Sequence, residues 1–225
     1  MASVRELIAE ACRRSGRDAG EVTLVAASKY ADAEGIRALA LAGQAVFGEN
    51  RVQDAMAKSR SKSLAGQKIE WHLIGHLQGN KSRAAAETFD VVQSVDSLEI
   101  AAELSRRAVA LGRVVPVLLQ VNVDEDPSKH GFYTGSLAAE FGSLVALEGL
   151  RVDGLMTIGA QVGTAEAARP TFAALRAARA RLDGLGLAPP LRHLSMGMSA
   201  DFEVAIEEGA TIVRVGRALF DGEMK

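Results

Sequence analysis

The sequence predicts an α/β fold, a single TIM-like (β/α)8 barrel with an extra helix at its amino terminus. Three observations carry that expectation. Short β-type runs alternate with longer helical patterns along the whole chain, as expected of a parallel sheet with crossover helices. Eight such runs fit into 225 residues at about 28 per unit, near the ~250 residues usual for this barrel. The fifth run, 116–123, is apolar almost throughout, which implies a strand buried on both faces. A doubly wound open sheet shares this alternation, and periodicity does not say whether the sheet closes. The length leaves no room for a second domain, so 1–225 is expected to be one domain.

The elements follow in order. Residues 3–15 read as a lead helix, with Val4, Leu7, Ile8 and Ala11 on one face. Strand one is expected over 22–28, followed by a helix through Leu41; strand two covers 44–48 and a helix 50–61. Strand three is 70–74, then a helix from about 80 to 87. Strand four is Val91–Val95, and Asp96 with Glu99 resembles a capping box opening a helix that ends at Gly112. After strand five come a helix over 136–147, strand six over 152–157 and a helix from about 165 to 185. Strand seven is 191–195, a helix 199–208, strand eight 211–215, and Arg217–Phe220 begins a final short helix.

Composition excludes several classes. Apolar residues make up 48% and charged residues 24%, the mixture of a globular chain with a sizeable core. A net charge of −2 leaves no basic surplus to neutralise a nucleic-acid backbone. The single cysteine, Cys12, excludes a disulfide framework and a thiolate metal cluster. The longest stretch without a charge, 154–165, contains three glycines and falls short of the about 20 apolar residues a membrane span needs. Arg5, Glu6, Glu10, Arg13 and Arg14 interrupt any apolar signal core. A cytoplasmic protein is expected.

A (β/α)8 barrel carries its chemistry at the carboxyl ends of the strands. Lys29 ends a run of seven uncharged residues there. Held at an apolar barrel mouth, its amine would be desolvated, the neutral form favoured, and attack on a carbonyl made possible. A lysine merely snorkelling to solvent is the plainer reading. A second signal is the pair of loops after strands seven and eight, with Gly197 and Ser199 at a helix start and Gly216 beyond. Glycine lets backbone N–H groups approach an anion, so the pair suggests a phosphate site. Ser199 as a simple N-cap and Gly216 as a tight turn are the alternatives.

Arg214 opposes Val213 and Val215 in strand eight and should face the barrel mouth, where a charge needs a partner. An ion pair with Glu49 would supply one. Asn50 is either a helix cap completed by Gln53 or a ligand contact. His72 reads as a satisfied core histidine. His72 and His76, without a nearby carboxylate, make a poor metal pair, so no metal site is expected. Lys58, Arg60 and Lys62 read as a solvated helix face.

Taken together, Ala27-Ser28-Lys29, Phe47-Gly48-Glu49-Asn50, Trp71-His72-Leu73-Ile74-Gly75, Leu77-Gln78-Gly79-Asn80-Lys81 and 194–199 resemble the signatures of the pyridoxal phosphate homeostasis protein family. Asn122, Lys129, Gly131 and 213–216 fit as well, so the likeness runs in order from about residue 22 to the end. The resemblance implies a single-domain barrel like the amino-terminal domain of alanine racemase, binding pyridoxal 5′-phosphate (PLP) without established catalysis, in vitamin B6 and amino-acid homeostasis. It implies that Lys29 forms an aldimine with PLP. It further implies that Ser199 and the backbone at Met198, Gly216 and Arg217 hold the phosphate, that Asn50 contacts the ring side, and that Arg214 faces the pyridine nitrogen. Arg51, His76, Gly79, Arg217 and Asp221 depart from the residues common in the family, which bears on the phosphate contacts rather than on Lys29 or Arg214.

A carbanion-forming PLP enzyme benefits from a protonated pyridine nitrogen, which an arginine disfavours. Related racemases also use a tyrosine from a second domain, whereas this chain has only Tyr30 and Tyr133. Tyr30, adjacent to Lys29, should point elsewhere if Lys29 faces inward. A PLP-holding protein, expected to be a monomer with PLP-dependent apoenzymes as candidate recipients, is therefore the first reading. A weak amino-acid racemase using Tyr133 or water is the second, and a Schiff-base aldolase acting on a phosphorylated sugar the third.

Overall fold

The structure, a computed structural model, describes residues 2–159 and 163–220. Eight parallel strands close in chain order, each pairing with the next and the last with the first. They are β1 (Thr23–Ala27), β2 (Val46–Glu49), β3 (Glu70–Leu73), β4 (Val91–Val95), β5 (Val115–Gln120), β6 (Leu150–Met156), β7 (His193–Ser195) and β8 (Ile212–Val215). Helix α1 (Ala2–Arg14) precedes the barrel. Then α2 (Ala33–Leu41), α3 (Val52–Ser59), α4 (Ser82–Thr88), α5 (Leu98–Ala110), α6 (Thr134–Val145), α7 (Arg169–Asp183), α8 (Phe202–Glu207) and α9 (Arg217–Phe220) each follow a strand. The expected barrel is present, and the open sheet is not.

Strand bounds shift by up to three residues, with β5 ending at Gln120 and β7 starting at His193, and helix starts differ as well. α4 and α7 begin only after short 3-10 turns at Gly79–Lys81 and Ala165–Ala168, and Pro170 then sits in the first turn of α7, where its missing N–H costs nothing. α5 is capped by Ser97, whose hydroxyl accepts from the Ile100 N–H at 3.2 Å, and not by Asp96. The Asp96 carboxylate is drawn to His76 instead, at 2.7 Å.

Strand periodicity sorts the buried side chains into two groups. Leu24, Ala26, Phe47, Leu73, Val92, Val117, Leu119, Leu155, Leu194, Val213 and Val215 pack outward against the helices. Val25, Ile74, Leu118, Met156 and Ile212 form a smaller cluster along the axis, with Ala27 and Val46 against it. Helix α1 lies at the amino-terminal end. Arg5 reaches Gly43 O and Gln44 Oε1 just before β2. Just beyond α1, Arg17 donates to Ile206 O (2.9 Å) and Ala210 O (2.8 Å) before β8. Val4, Ile8, Ala11 and Cys12 are buried beneath the helix. The opposite end, where the strands finish, is left to the connecting loops.

The register between β5 and β6 shifts at Val117/Leu118, so Asp153 is skipped and Gly154 comes opposite Leu118. At Gly154 a Cβ would fall 2.1 Å from His193 O on β7. Gly154→Ala should therefore force β6 and β7 apart and lower stability by about 1–3 kcal/mol. Urea unfolding measures this, and a variant as stable as the parent would contradict the packing.

Candidate functional site

On β1, Val25 and Ala27 face the axis, and Lys29 follows on the rim, in the turn just beyond the strand. On β8, Ile212 faces the axis, and the same alternation turns Arg214 inward, with Val25 as its register partner. Only 5% of Arg214 is exposed. Its Nη1 donates to Ser195 Oγ at 2.6 Å and its Nη2 to Thr157 O at 2.8 Å. The Ser195 hydroxyl donates to Gln93 Oε1 at 2.6 Å. That turns the Gln93 amide nitrogen, which can only donate, toward His72 Nδ1 at 2.6 Å. His72 must then carry its proton on Nε2, which meets Glu70 Oε1 at 2.8 Å. Five side chains thus form one file, from the guanidinium near the mouth to a carboxylate at the start of β3, every link donating the same way.

Burial pushes the Arg214 guanidinium down to about 10, with the Asp201 carboxylate opposing the shift. It remains a cation at neutral pH. Burial likewise pushes Asp201 up, against the Met198 N–H bond to its Oδ1 at 2.6 Å and the charge of Arg214. At the other end, the His72 hydrogen bond holds the Glu70 carboxyl below its usual range. His72 is the satisfied core histidine the sequence suggested.

The expected pair between Arg214 and Glu49 does not form, because Glu49 has the outward parity of Phe47 and faces the helix layer. There the fully buried Glu49 accepts, on Oε1, from Lys58 Nζ at 2.6 Å and Ser28 Oγ at 2.5 Å. Its Oε2 has no partner among the described residues. Lys58 also donates to Ser28 O at 2.8 Å. It is therefore no part of a solvated face, as Arg60 and Lys62 are, but an ion-paired clamp on the residue before Lys29.

Lys29 itself is exposed, with Nζ 4.5 Å from the centroid of the Tyr30 ring. Two expectations are corrected here: the amine is not sheltered, and Tyr30 does not point elsewhere. The reason is that β1 ends at Ala27, and Lys29 belongs to the turn above the packed interior, closed by Ala31 N–H to Ser28 O at 2.9 Å.

The loops after β7 and β8 do meet. Gly216 N–H donates to Ser199 Oγ at 3.4 Å, and Arg214 N–H to Gly197 O at 3.0 Å. Gly197 has φ +92° and a Cβ there would lie 2.6 Å from the Ala205 Cβ, so this turn needs glycine. Ser199 is no helix cap, since α8 starts at Phe202 with Asp201 at the N-cap. The Ser199 and Ala200 N–H groups find no backbone acceptor among the described residues. Arg217 opens α9, but its side chain, like all of Asp221, lies outside the described residues. Asn50 does not cap α3 either; Arg51 holds that position, and Asn50 is exposed on the rim against the backbone of Gly75.

The structure thus brings together, on the adjoining ends of β7, β8, β1 and β2, an amine, a buried cation and a pair of anion-suited loops. The sequence does not single out Gln93, although a polar residue at an inward position of an apolar strand could have flagged it, and it marks Ser195 only as the start of the loop after strand seven. Nor does it single out His130, which with Asp96 flanks His76.

A barrel with these features belongs to the class of the alanine racemase N-terminal domain, and the family described as "Alanine racemase, N-terminal domain" matches residues 8–223. An alanine racemase of Clostridium difficile shares the fold alone, with TM-score 0.69 at 15% identity, over 95% of this chain and 54% of that one. Within the class, the chain belongs to the pyridoxal phosphate homeostasis protein family. A protein of that name from Aquifex aeolicus is 42% identical over 226 residues, covering 100% of this chain and 97% of the relative. The structure of PipY from Synechococcus elongatus, solved with PLP bound, is 43% identical with TM-score 0.82, over 95% of this chain and 99% of that one.

The buried clamp makes a stability prediction. Lys58→Met strands the Glu49 carboxylate and should cost about 3–5 kcal/mol in urea unfolding, whereas Lys58→Met with Glu49→Leu recovers most of it. Equal losses in both variants would refute the pairing.

Proposed function

We propose that this protein holds PLP at the barrel mouth by a covalent bond to Lys29 and takes part in intracellular vitamin B6 homeostasis without robust catalysis. The observation that carries the reading is the convergence on neighbouring strands of an amine, a buried guanidinium and two anion-suited loops. The residues fit the group. Lys29 offers an accessible primary amine on the rim, in the turn after the strand paired with β8. Ser199 Oγ and the Gly216 N–H are already within 3.4 Å of each other, and no side chain stands at Gly216 to block a phosphate. Gly197 sets the path of the Met198–Ala200 turn, in which the Ser199 and Ala200 N–H groups, without a backbone acceptor among the described residues, suit an anion.

When bound, PLP supplies an aldehyde that condenses with an amine, with loss of one water, and absorbs visible light in that state. The chain's own residues do the rest. Lys29 provides the nucleophilic nitrogen, and the Glu49–Lys58–Ser28 clamp fixes the backbone from which it projects. Met198, Ser199, Gly216 and the backbone of Arg217 hold the phosphate, and Asn50 borders the ring. Arg214 presents a fixed positive charge to the pyridine side. An always-charged donor there favours the unprotonated nitrogen and so withholds the electron sink that carbanion chemistry needs.

Neither tyrosine suits the role of an opposite-face acid, since Tyr30 lies against Lys29 and Tyr133 is exposed before α6. The whole chain acts in this reading as one cofactor-binding domain, a monomer in the cytoplasm, with PLP-dependent apoenzymes as recipients.

Titration of the full chain with PLP tests the reading. The parent should develop a visible band that borohydride discharges, with the reduced adduct on the peptide containing Lys29. Lys29→Ala should lose the band. Ser199→Ala should keep it but weaken PLP binding by about tenfold or more while leaving pyridoxal, which lacks the phosphate, unaffected. A band retained in Lys29→Ala, or an adduct at another lysine, refutes the assignment. The racemase reading is addressed by deuterium exchange at the α-carbon of alanine: the holding function predicts no repeated turnover, and sustained multiple-turnover exchange would overturn it.

A further inference from the structure

Across the barrel mouth from β8 and β1, the ends of β3, β4 and β5 carry a second cluster that the PLP site does not use. His76 lies beyond β3, Asp96 directly follows β4, and His130 sits in the loop after β5. His76 Nδ1 is 2.7 Å from Asp96 Oδ2, and His130 Nδ1 is 3.8 Å from the same oxygen. The two imidazoles stack with centroids 3.9 Å apart and planes within 12°. One ligand atom from each of the three residues lies within 4.8 Å of the others.

The histidines are exposed, whereas the Asp96 side chain is only 5% exposed. Among the described residues it pairs with no lysine or arginine, only with these imidazoles. A carboxylate at that depth needs positive compensation, which neutral imidazoles supply only in part. A dication held by a nitrogen of each ring and by the carboxylate would supply that compensation.

We propose that His76, Asp96 and His130 form a binding site for one divalent transition-metal ion, Zn2+ foremost. Two imidazoles and a carboxylate are the donor set of a three-ligand zinc site whose remaining position is open to water. Metal–ligand bonds near 2.0–2.2 Å place tetrahedral donors about 3.3 Å apart. The observed nitrogen–oxygen separations of 2.7 and 3.8 Å lie on either side of that spacing, and binding requires the stacked rings to turn until their in-plane lone pairs converge, which their exposure permits. The main chain around the third ligand is already anchored. Gln120 Nε2 donates to His130 O at 2.9 Å, and Phe132 N–H to Gln120 O at 2.8 Å. His72 takes no part, since both of its ring nitrogens are engaged inside the barrel.

The test uses the full chain freed of metal with a chelator and titrated with Zn2+ alone by calorimetry, and with Co2+ by visible absorption. One equivalent should bind. The Co2+ complex should show the intense bands of a low-coordinate site. His130→Ala and His76→Ala should each weaken Zn2+ binding at least about tenfold, judged against the 10–100-fold lost on removing even an outer-shell partner. His193→Gln, outside the cluster, should leave affinity unchanged. Because His130 is 61% exposed at its side chain, its replacement should leave the fold intact, as circular dichroism and the thermal midpoint would verify. Absence of saturable binding overturns the proposal, as does binding undiminished in both His130→Ala and His76→Ala.

Discussion

A guanidinium buried inside a closed ring of strands is the constraint around which this molecule is arranged. Desolvating such a charge is expensive, and no carboxylate makes a direct salt bridge to Arg214 among the described residues. The barrel answers with dipoles. A main-chain carbonyl and a hydroxyl accept from the guanidinium, and each later member of the file passes a hydrogen bond onward until Glu70 receives the last. Such a file works only when all its members are present, since one missing acceptor leaves a buried donor unmet. That explains why the axis is polar at Gln93 and Ser195 while Val25, Leu118 and Met156 fill the rest.

The same division accounts for the site. Rigid groups reside inside the sheet and reactive ones on its rim. Arg214, with its orientation fixed by Ser195 and Thr157, is a permanent feature of the interior. Lys29, Ser199 and Asn50 project from turns whose backbone is tied by neighbours: Ser28 by Lys58, Gly197 by its packing on α8, Asn50 by Gly75. The outward-facing carboxylate of Glu49 serves this arrangement indirectly, through a lysine that looked in the sequence like ordinary surface charge.

Much of this was legible beforehand. The alternation of runs marks eight strands in chain order, because a parallel barrel repeats the same unit, while closure of the sheet is visible only in the pairing of β8 with β1. The inward direction of Arg214 followed from the two valines beside it. Helix starts were less readable, since Ser199 and Asn50 look like caps while the chain first completes a turn at Asp201 or Arg51. Partners distant in sequence were not readable at all. Nothing local says that Lys58 reaches back to Glu49 and Ser28, or that His76, Asp96 and His130 from three different loops share a corner of the rim.

The position of Lys29 in the turn beyond β1 has a consequence for traffic. Its side chain is exposed, so a small molecule could reach it without any strand separating or helix swinging aside. Under the proposed function, residence time at such a berth would be governed by the chemistry of attachment and the grip on the anion, and not by the speed of a door.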